Sequence, residues 1–190
     1  MARDLLFSGM RIETITPGAL AERAAEFAGL LRDAVEHGAS IGFVRPVAEG
    51  EMTDYWHRVG EEVLAGNKIL VVALDENGAL AGSAQLALES RTNGRHRAEV
   101  QKVLVRAAQR RRGTGAALMA RIEAEARAHG RQLLFLDTST GAGGAVEFYA
   151  RLGYQFAGGI PDYAADPDGR LTPNAIFYKR LGPANGAALS

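Results

Sequence analysis

The stretch that decides the fold is Arg97-Ala98-Glu99-Val100-Gln101-Lys102-Val103-Leu104-Val105, followed after a short connection by Arg110-Arg111-Arg112-Gly113-Thr114-Gly115. The first run alternates as a strand does, with Ala98, Val100, Lys102 and Leu104 on one face and Glu99, Gln101, Val103 and Val105 on the other. A helical pattern then runs from about Thr114 to His129, closed by Gly130 as a C-terminal cap. Gln132 to Asp137 reads as a short buried strand. A strand, a crossover helix and a returning strand predict one parallel pair.

Outward from that unit the pattern changes. Lys68 to Leu74 and Ala79 to Leu88 are largely apolar runs joined by Asp75-Glu76-Asn77-Gly78, which is hairpin chemistry and predicts antiparallel pairing. Glu89 to His96 is a polar loop. Met10 to Ile15 alternates as a half-buried strand, and Thr16-Pro17 reads as an N-cap with proline at the first helical position. One helix is expected from about 17 to 36, burying Leu20, Ala24, Phe27, Leu31 and Val35, and a second from a Thr53 cap to about residue 65. Downstream, residues 145–152 form a helix ending at Gly153. Strands at Tyr154–Ala157 and Ala175–Leu181 then flank a Gly/Pro/Asp-rich excursion. The expectation is an α/β fold: a mixed, mostly antiparallel sheet flanked by helices, in a single domain over residues 1–181 with a disordered tail from 182 to 190.

Composition narrows the function. The 190 residues carry 22 Lys plus Arg against 22 Asp plus Glu, and this balance argues against a nucleic-acid partner. Cysteine is absent, which removes disulfides, thiolate metal sites and a covalent acyl-cysteine. The four histidines, His37, His57, His96 and His129, show no ligand spacing, so no metal is expected. No signal-peptide core and no membrane-length apolar run is visible, so the expectation is a cytoplasmic protein without a membrane partner.

The loop Arg110 to Gly115 lies where a helix begins. Glycines admit a ligand close to the backbone, the helix start presents unpaired N–H groups at a positive dipole end, and arginine forks suit phosphate. A Walker loop is disfavoured because Gly115 is followed by Ala116-Ala117, and a dinucleotide fingerprint because Leu118 stands where a third small residue belongs. A solvated basic loop tightened by its glycines remains the alternative.

The pattern Val103-x-Val105, Arg110-x-x-Gly113-x-Gly115 and amphipathic helix resembles motif A of the GNAT superfamily of N-acetyltransferases. Ala145-Val146-Glu147-Phe148-Tyr149-Ala150-Arg151-Leu152-Gly153-Tyr154 resembles its second signature. The resemblance implies acetyl-CoA as co-substrate, with Val103, Leu104 and Val105 as the pantetheine rail. Arg110, Arg111, Arg112, Gly113, Thr114, Gly115 and Ala116 would then hold the diphosphate. Family members often carry Asn where Ala142 stands, a departure that removes one cofactor contact. Within the superfamily, Ala98 to Lys102, Leu136-Asp137-Thr138 and Pro167-Asp168-Gly169-Arg170-Leu171 look most like the tabtoxin-resistance acetyltransferases.

On that resemblance Glu99 stands where related enzymes carry a general base. The alternative is a strand-face Glu paired with Arg95 or Arg97. Asp137 would share proton removal or hold the ammonium, or else bond its own backbone at a strand end. Tyr149 matches the family's acid for the departing thiolate, against core packing beside Phe148. A backbone N–H such as that of Val105 would polarise the thioester oxygen. Asp162, Tyr163, Asp166, Asp168 and Arg170, in the excursion, would line an amine site or form a solvated loop. The implied activity is transfer to the primary amine of a small molecule, an amino-acid-like toxin or antibiotic among the candidates, by a monomer or homodimer. Protein lysine or N-terminal acetylation and non-catalytic acyl-CoA binding are the alternatives.

Overall fold

Turn chemistry sets the first pairings. The Asp75 carboxylate accepts the backbone N–H groups of Asn77 and Ala79, each at 2.9 Å, and so folds β3 (Lys68–Leu74) back on β4 (Leu80–Leu88). The computed structural model describes residues 5–7, 9–141 and 144–182. The expected disorder beyond Gly182 and the departure at Ala142 lie outside them. Before the hairpin come β1 (Leu5–Phe7), β2 (Met10–Thr14), α1 (Pro17–Glu22), α2 (Ala24–Glu36) and α3 (Glu49–Leu64). After it come β5 (Arg97–Val105), α4 (Thr114–Ala128), β6 (Leu133–Ser139), α5 (Ala145–Arg151), β7 (Gln155–Gly158), β8 (Ala164–Ala165), β9 (Leu171–Thr172) and β10 (Asn174–Arg180).

Eight strands form one sheet in the order β1-β2-β3-β4-β5-β6-β10-β7. Every pairing is antiparallel except β5 with β6, the pair expected from the strand–helix–strand unit. Each sheet face carries a core. One packs Leu118, Met119 and Ile122 of α4, with Tyr149 of α5, on alternate residues of the strands. The other packs Phe27, Leu30 and Leu31 of α2 with Met52, Trp56 and Val59 of α3. Trp56 is 3% exposed and donates its indole N–H to the Phe27 carbonyl at 2.9 Å, so it is a core residue.

Several local expectations change. The helix expected over 17–36 is interrupted at Arg23 (φ −108°, ψ 18°), whose guanidinium turns to the Glu26 carboxylate and to the Gly78 carbonyl at 2.6 Å. Ala24, at the restart, is exposed, while Leu20, Phe27, Leu31 and Val35 are buried. The next helix begins at Glu49, capped by Ala48, so Thr53 lies inside it; the extra turn brings Met52 into the core. Thr16 does cap α1, accepting the Ala19 N–H at 3.2 Å.

The excursion between β7 and β10 contains the ribbon β8–β9. The Asp166 carboxylate forms its turn by accepting the N–H groups of Asp168 and Arg170 at 2.9 and 3.0 Å. This ribbon is fastened to the α2–α3 connection. The Arg45 N–H donates to the Pro167 carbonyl at 2.9 Å, Ser40 donates to the Ala165 carbonyl at 3.2 Å, and Arg45 pairs with Asp168.

Two glycines make a test of this packing. A Cβ on Gly82 would stand 2.5 Å from the Leu104 carbonyl oxygen, whereas one on Gly60, within α3, would meet only Leu20 Cδ2 at an ordinary 3.5 Å. Gly82→Ala should therefore destabilise by about 1–3 kcal/mol. Gly60→Ala should stabilise by about 0.5–1 kcal/mol, by removing backbone freedom from the unfolded chain. Chemical denaturation of both variants checks the opposed signs.

Candidate active site

The parallel pair is short. β5 and β6 are in register only at Arg97 with Leu133, Ala98 with Leu134 and Glu99 with Phe135. Beyond Glu99, β5 follows β4 as far as Val105 opposite Gly82, and β6 follows β10 as far as Ser139 opposite Asn174. The strands part, and the β6-facing edge of β5 beyond Glu99 is left without a ladder partner among the described residues. The pairing with β4 explains the departure. Gln85 opposes Gln101 but Ser83 opposes Leu104, so β5 holds one extra residue, and Lys102 sits there in the left-handed region at φ 47°.

That bulge corrects the strict alternation expected of residues 97–105. Val103 and Val105 pack, like Ala98 and Val100, against the α4–α5 core, whereas Leu104 belongs to the α2–α3 core. Glu99 therefore lies on the face opposite Val103 and Val105, and Lys102 does not share the face of Ala98 and Val100.

At the mouth of the fork the connection to α4 is pinned from several sides. Arg106 donates to the carbonyls of Leu80 and Glu26 at 2.7 and 3.1 Å, and the Ala107 N–H donates to the Asp33 carboxylate at 2.8 Å. The Thr114 hydroxyl, 2% exposed, donates to the Gln109 carbonyl at 3.2 Å and lies 3.2 Å from Met10 Sδ. Left-handed conformations at Arg111 (φ 62°) and Gly113 (φ 84°) turn the chain into the helix, where Gly113 is the N-cap. The Ala117 N–H is bonded to the Gly113 carbonyl, so the N–H groups of Thr114, Gly115 and Ala116 belong to the first turn, which has no intrahelical acceptor. Arg110, Arg111 and Arg112 are exposed, and none has a carboxylate within ion-pair distance among the described residues. Arg110 Nε donates to the Val105 carbonyl at 3.2 Å. Gly115 packs closely on its neighbour: a Cβ there would stand 3.2 Å from Phe148 Cζ, so the ring would have to yield slightly to admit one. Exposed cations, an amide-rich helix start and an unpaired strand edge are the donor set that a nucleotide diphosphate with an amide-bearing arm requires.

On the α3 side of the sheet Glu99 anchors a polar chain. It accepts from Gln101 Nε2 at 2.9 Å. Gln101 Oε1 accepts from Lys68 Nζ at 2.9 Å, and Lys68 also donates to Gln85 Oε1 at 2.9 Å. Gln85, fully buried, donates to the Tyr55 hydroxyl at 2.8 Å. An ammonium only donates, so it fixes the amide orientation of Gln101 and with it the hydrogen bond to Glu99. Arg97 pairs with Glu89 at 2.9 Å, and Glu99 is left to Gln101. Burial lowers the pKa of both Lys68 and Lys102, nearby carboxylates opposing that shift, and burial pushes Tyr55 up to about 12. Lys102 Nζ lies 5.9 Å from the Tyr55 ring centroid.

Asp137 is exposed in β6, two residues past the last β5–β6 pair, and shares the face of Phe135 rather than that of the buried Leu134 and Leu136. Tyr149 is 8% exposed, its ring 5.1 Å from Phe148 and 6.0 Å from Phe177 by centroids. Burial, with the Asp137 carboxylate as the second cause, raises its hydroxyl well above the ordinary tyrosine range. The fork thus brings Glu99, Lys102 and Asp137 to one face, and Asp137 is felt at the Tyr149 hydroxyl. Asp162, Tyr163, Asp168 and Arg170 are exposed on the excursion. Sequence reading missed Lys68, Gln85 and Gln101; a glutamine within the otherwise small and apolar run Leu80–Leu88 is the signal that marks such a network.

Among the described residues no group of His, Asp and Glu is arranged to hold a metal ion, and no helix is long and apolar enough to cross a membrane. The acetyltransferase (GNAT) family profile matches residues 28–154. An uncharacterised N-acetyltransferase from the hisH-hisA intergenic region of Azospirillum brasilense is 35% identical over 130 residues, 67% of this chain and 72% of that protein. Among solved structures, a phosphinothricin acetyltransferase of Sinorhizobium meliloti in complex with acetyl-CoA superposes with TM-score 0.73 at 22% identity, covering 95% of this chain and 96% of that one. A ribosomal-protein-S5-alanine acetyltransferase of Vibrio fischeri superposes with TM-score 0.77 at 14% identity, covering 97% of this chain and all of that one.

The buried hydroxyls predict a pH dependence. Tyr55 loses its proton near pH 10.0 when unfolded and at about 12 when folded. At Tyr55 the unfolded chain therefore binds fewer protons between those values, and this residue's contribution to stability should be level below pH 10 and fall as pH rises toward 12. Absorbance of phenolate at 295 nm, with native and guanidinium-unfolded protein compared at pH 11, should show a native deficit. Equal signals would put these hydroxyls in water.

Proposed function

The chain belongs to the acetyltransferase (GNAT) family, and on that premise we propose that it moves the acetyl group of acetyl-CoA to a primary amine of a small molecule. We take residues 1–181 as the single domain that does so, in the cytoplasm, as a monomer or homodimer. The observation that carries the reading is the fork: a strand edge without a ladder partner beyond Glu99 among the described residues, leading to an amide-rich helix start flanked by exposed arginines. In this reading the backbone of Val103, Leu104 and Val105 holds the pantetheine arm. Arg110, Arg111 and Arg112 and the N–H groups of Gly113, Thr114, Gly115 and Ala116 hold the diphosphate.

Acetyl-CoA supplies an acyl carbon activated as a thioester. The rest falls to side chains. An alkyl ammonium with a reference pKa of about 10.4 must shed a proton before its nitrogen can attack, and Glu99 accepts it, directly or through a water. Asp137 holds the ammonium on approach. As the C–N bond forms and the C–S bond breaks, the Val105 N–H stabilises the oxyanion and Tyr149 gives a hydrogen bond or proton to sulfur. Its raised pKa supports the hydrogen-bonding form of this role, because the hydroxyl keeps its proton and stays a donor to the departing sulfur. The absence of cysteine supports direct attack in a ternary complex.

A small acceptor, rather than a protein chain, is supported by the β8–β9 ribbon. Its fastening to the Ser40–Arg45 segment ties the excursion before β10 to the α2–α3 connection, and in this reading the tie narrows the approach for an extended peptide. The likeness of residues 98–102, 136–138 and 167–171 to tabtoxin-resistance acetyltransferases adds an amino-acid-like toxin or antibiotic as a candidate acceptor.

Acetyl-CoA at about 100 times its dissociation constant should stabilise the protein by about 2.7 kcal/mol in thermal unfolding. Release of CoA thiol over an amine panel should give intersecting double-reciprocal lines; parallel lines would instead require an acyl-enzyme. Glu99→Gln should lower kcat by about 10²–10⁴. Tyr149→Phe should lower kcat as well, with acetyl-CoA affinity retained in both variants. Full activity in both would remove these roles.

A further inference from the structure

The α1–α3 layer stops short of half the sheet. Its core draws Leu70, Val72 and Leu74 from β3, Leu80 from β4 and Leu104 from β5, and no buried residue from β6, β10 or β7. β6 and β10 bury Leu134, Leu136, Ala175 and Phe177 on the α4–α5 side. Their other face carries Leu133, Phe135, Ile176 and Tyr178, each half-buried and belonging to neither core among the described residues. A hollow of about 420 Å³ opens there, between His96, Gln132, Leu133, Tyr178 and Arg180. The Tyr178 hydroxyl donates to Gln155 Oε1 at 2.6 Å, so β7 continues the same face. A contiguous apolar surface of this kind marks an interaction site.

The register says which partner. Leu133 is opposite Arg180 in the ladder, Phe135 is opposite Tyr178, and Asp137 is opposite Ile176. An aromatic row thus lies between two rows that each join one aliphatic residue to one charge, a cation in the first and an anion in the second. Arg180 and Asp137 are exposed, and neither has an opposite charge within ion-pair distance among the described residues. The other charges on this face are engaged, Arg97 with Glu89 and Glu99 with Gln101. A half-turn about an axis along the aromatic row exchanges the outer rows. It sets Phe135 and Tyr178 against their own counterparts and brings each Arg180 within one strand spacing, about 4.8 Å, of the partner's Asp137. An arginine side chain spans that offset. The face is its own complement.

We infer that this face is the interface of a symmetric homodimer, closed by the aromatic row and by two ion pairs of Arg180 with the partner's Asp137. The inference goes beyond the proposed acetyl transfer and does not depend on it. Where that transfer holds, the dimer shapes its site. Glu99 stands at the β5 end of the aromatic row, opposite Phe135, so the partner walls one side of the acceptor's approach. A carboxylate accepts several hydrogen bonds, and Asp137 can hold an ammonium and the partner's Arg180 together.

Sedimentation of the full chain over a range of concentrations should give twice the mass of one chain. Arg180→Glu and Asp137→Arg each set like charges together at both pairs, and each should weaken the dimer by about thirtyfold or more. Mixed in equal amounts, the two variants should recover a dimer, because one ion pair is then restored in its native sense and the other reversed. Far-ultraviolet circular dichroism separates dissociation from misfolding, and misfolded chains could not recover on mixing. A single-chain mass at every concentration would overturn the inference and leave the face to residues beyond Gly182 or to another protein. A dimer that both variants leave intact would overturn it too, since the contact would then lie elsewhere. These masses are read without turnover, so failure of the acetyl-transfer reading would leave them unchanged.

Discussion

A strand cannot keep step with two neighbours when one of them demands an extra residue. β5 pairs with β4 from Ala98 to Val105 only by inserting a residue at Lys102, and its pairing with β6 ends at Glu99, just before that insertion. The fork follows from this mismatch, and so does the distribution of side chains around it. Val103 and Val105 return to the α4–α5 core, Leu104 enters the other, and Glu99 and Lys102 are left on the open side. The close approach of Gly82 to the Leu104 carbonyl is the counterpart on β4: the bulged backbone occupies the space a side chain would need.

The polar chain from Tyr55 through Gln85, Lys68 and Gln101 to Glu99 is costly to bury and stays affordable because each donor meets an acceptor. Its effect is directional. With the Lys68 ammonium between them, neither glutamine amide is free to turn over, and the Glu99 carboxylate at the end of the chain meets a donor of fixed orientation. Rigid elements, three strands and a helix, carry every member of the chain. Exposed loop residues of the excursion, such as Asp168, are held instead by one another and by the α2–α3 connection.

Much of the architecture was legible because it rests on local signals. Asp75 to Gly78 read as a turn, Thr16-Pro17 as a helix start, and residues 97–105 as a strand with the bounds it has. The start of α4 was legible for the same reason, since a left-handed Gly113 sets the turn into the helix through its backbone. What could not be read was anything set by register. One inserted residue reversed the faces of Lys102, Val103, Leu104 and Val105, and period-two reasoning has no means of placing an insertion that the partner strand imposes. Arg23 interrupts its helix for contacts at Glu26 and Gly78, the latter 55 residues distant in sequence. Lys68, Gln85 and Gln101 meet only once three strands are side by side.

Gly115 and Phe148 meet across the gap between α4 and α5, ring carbon against the place where a methyl would be. The two signatures that contain them, separated by a strand and a loop, thus form one mechanical joint. The void left by the first is filled by the second, and α5, which also carries Tyr149, is seated directly on the opening turn of α4. Any chain with this arrangement has a steric motive to keep both signatures or neither, whatever molecule it acts on.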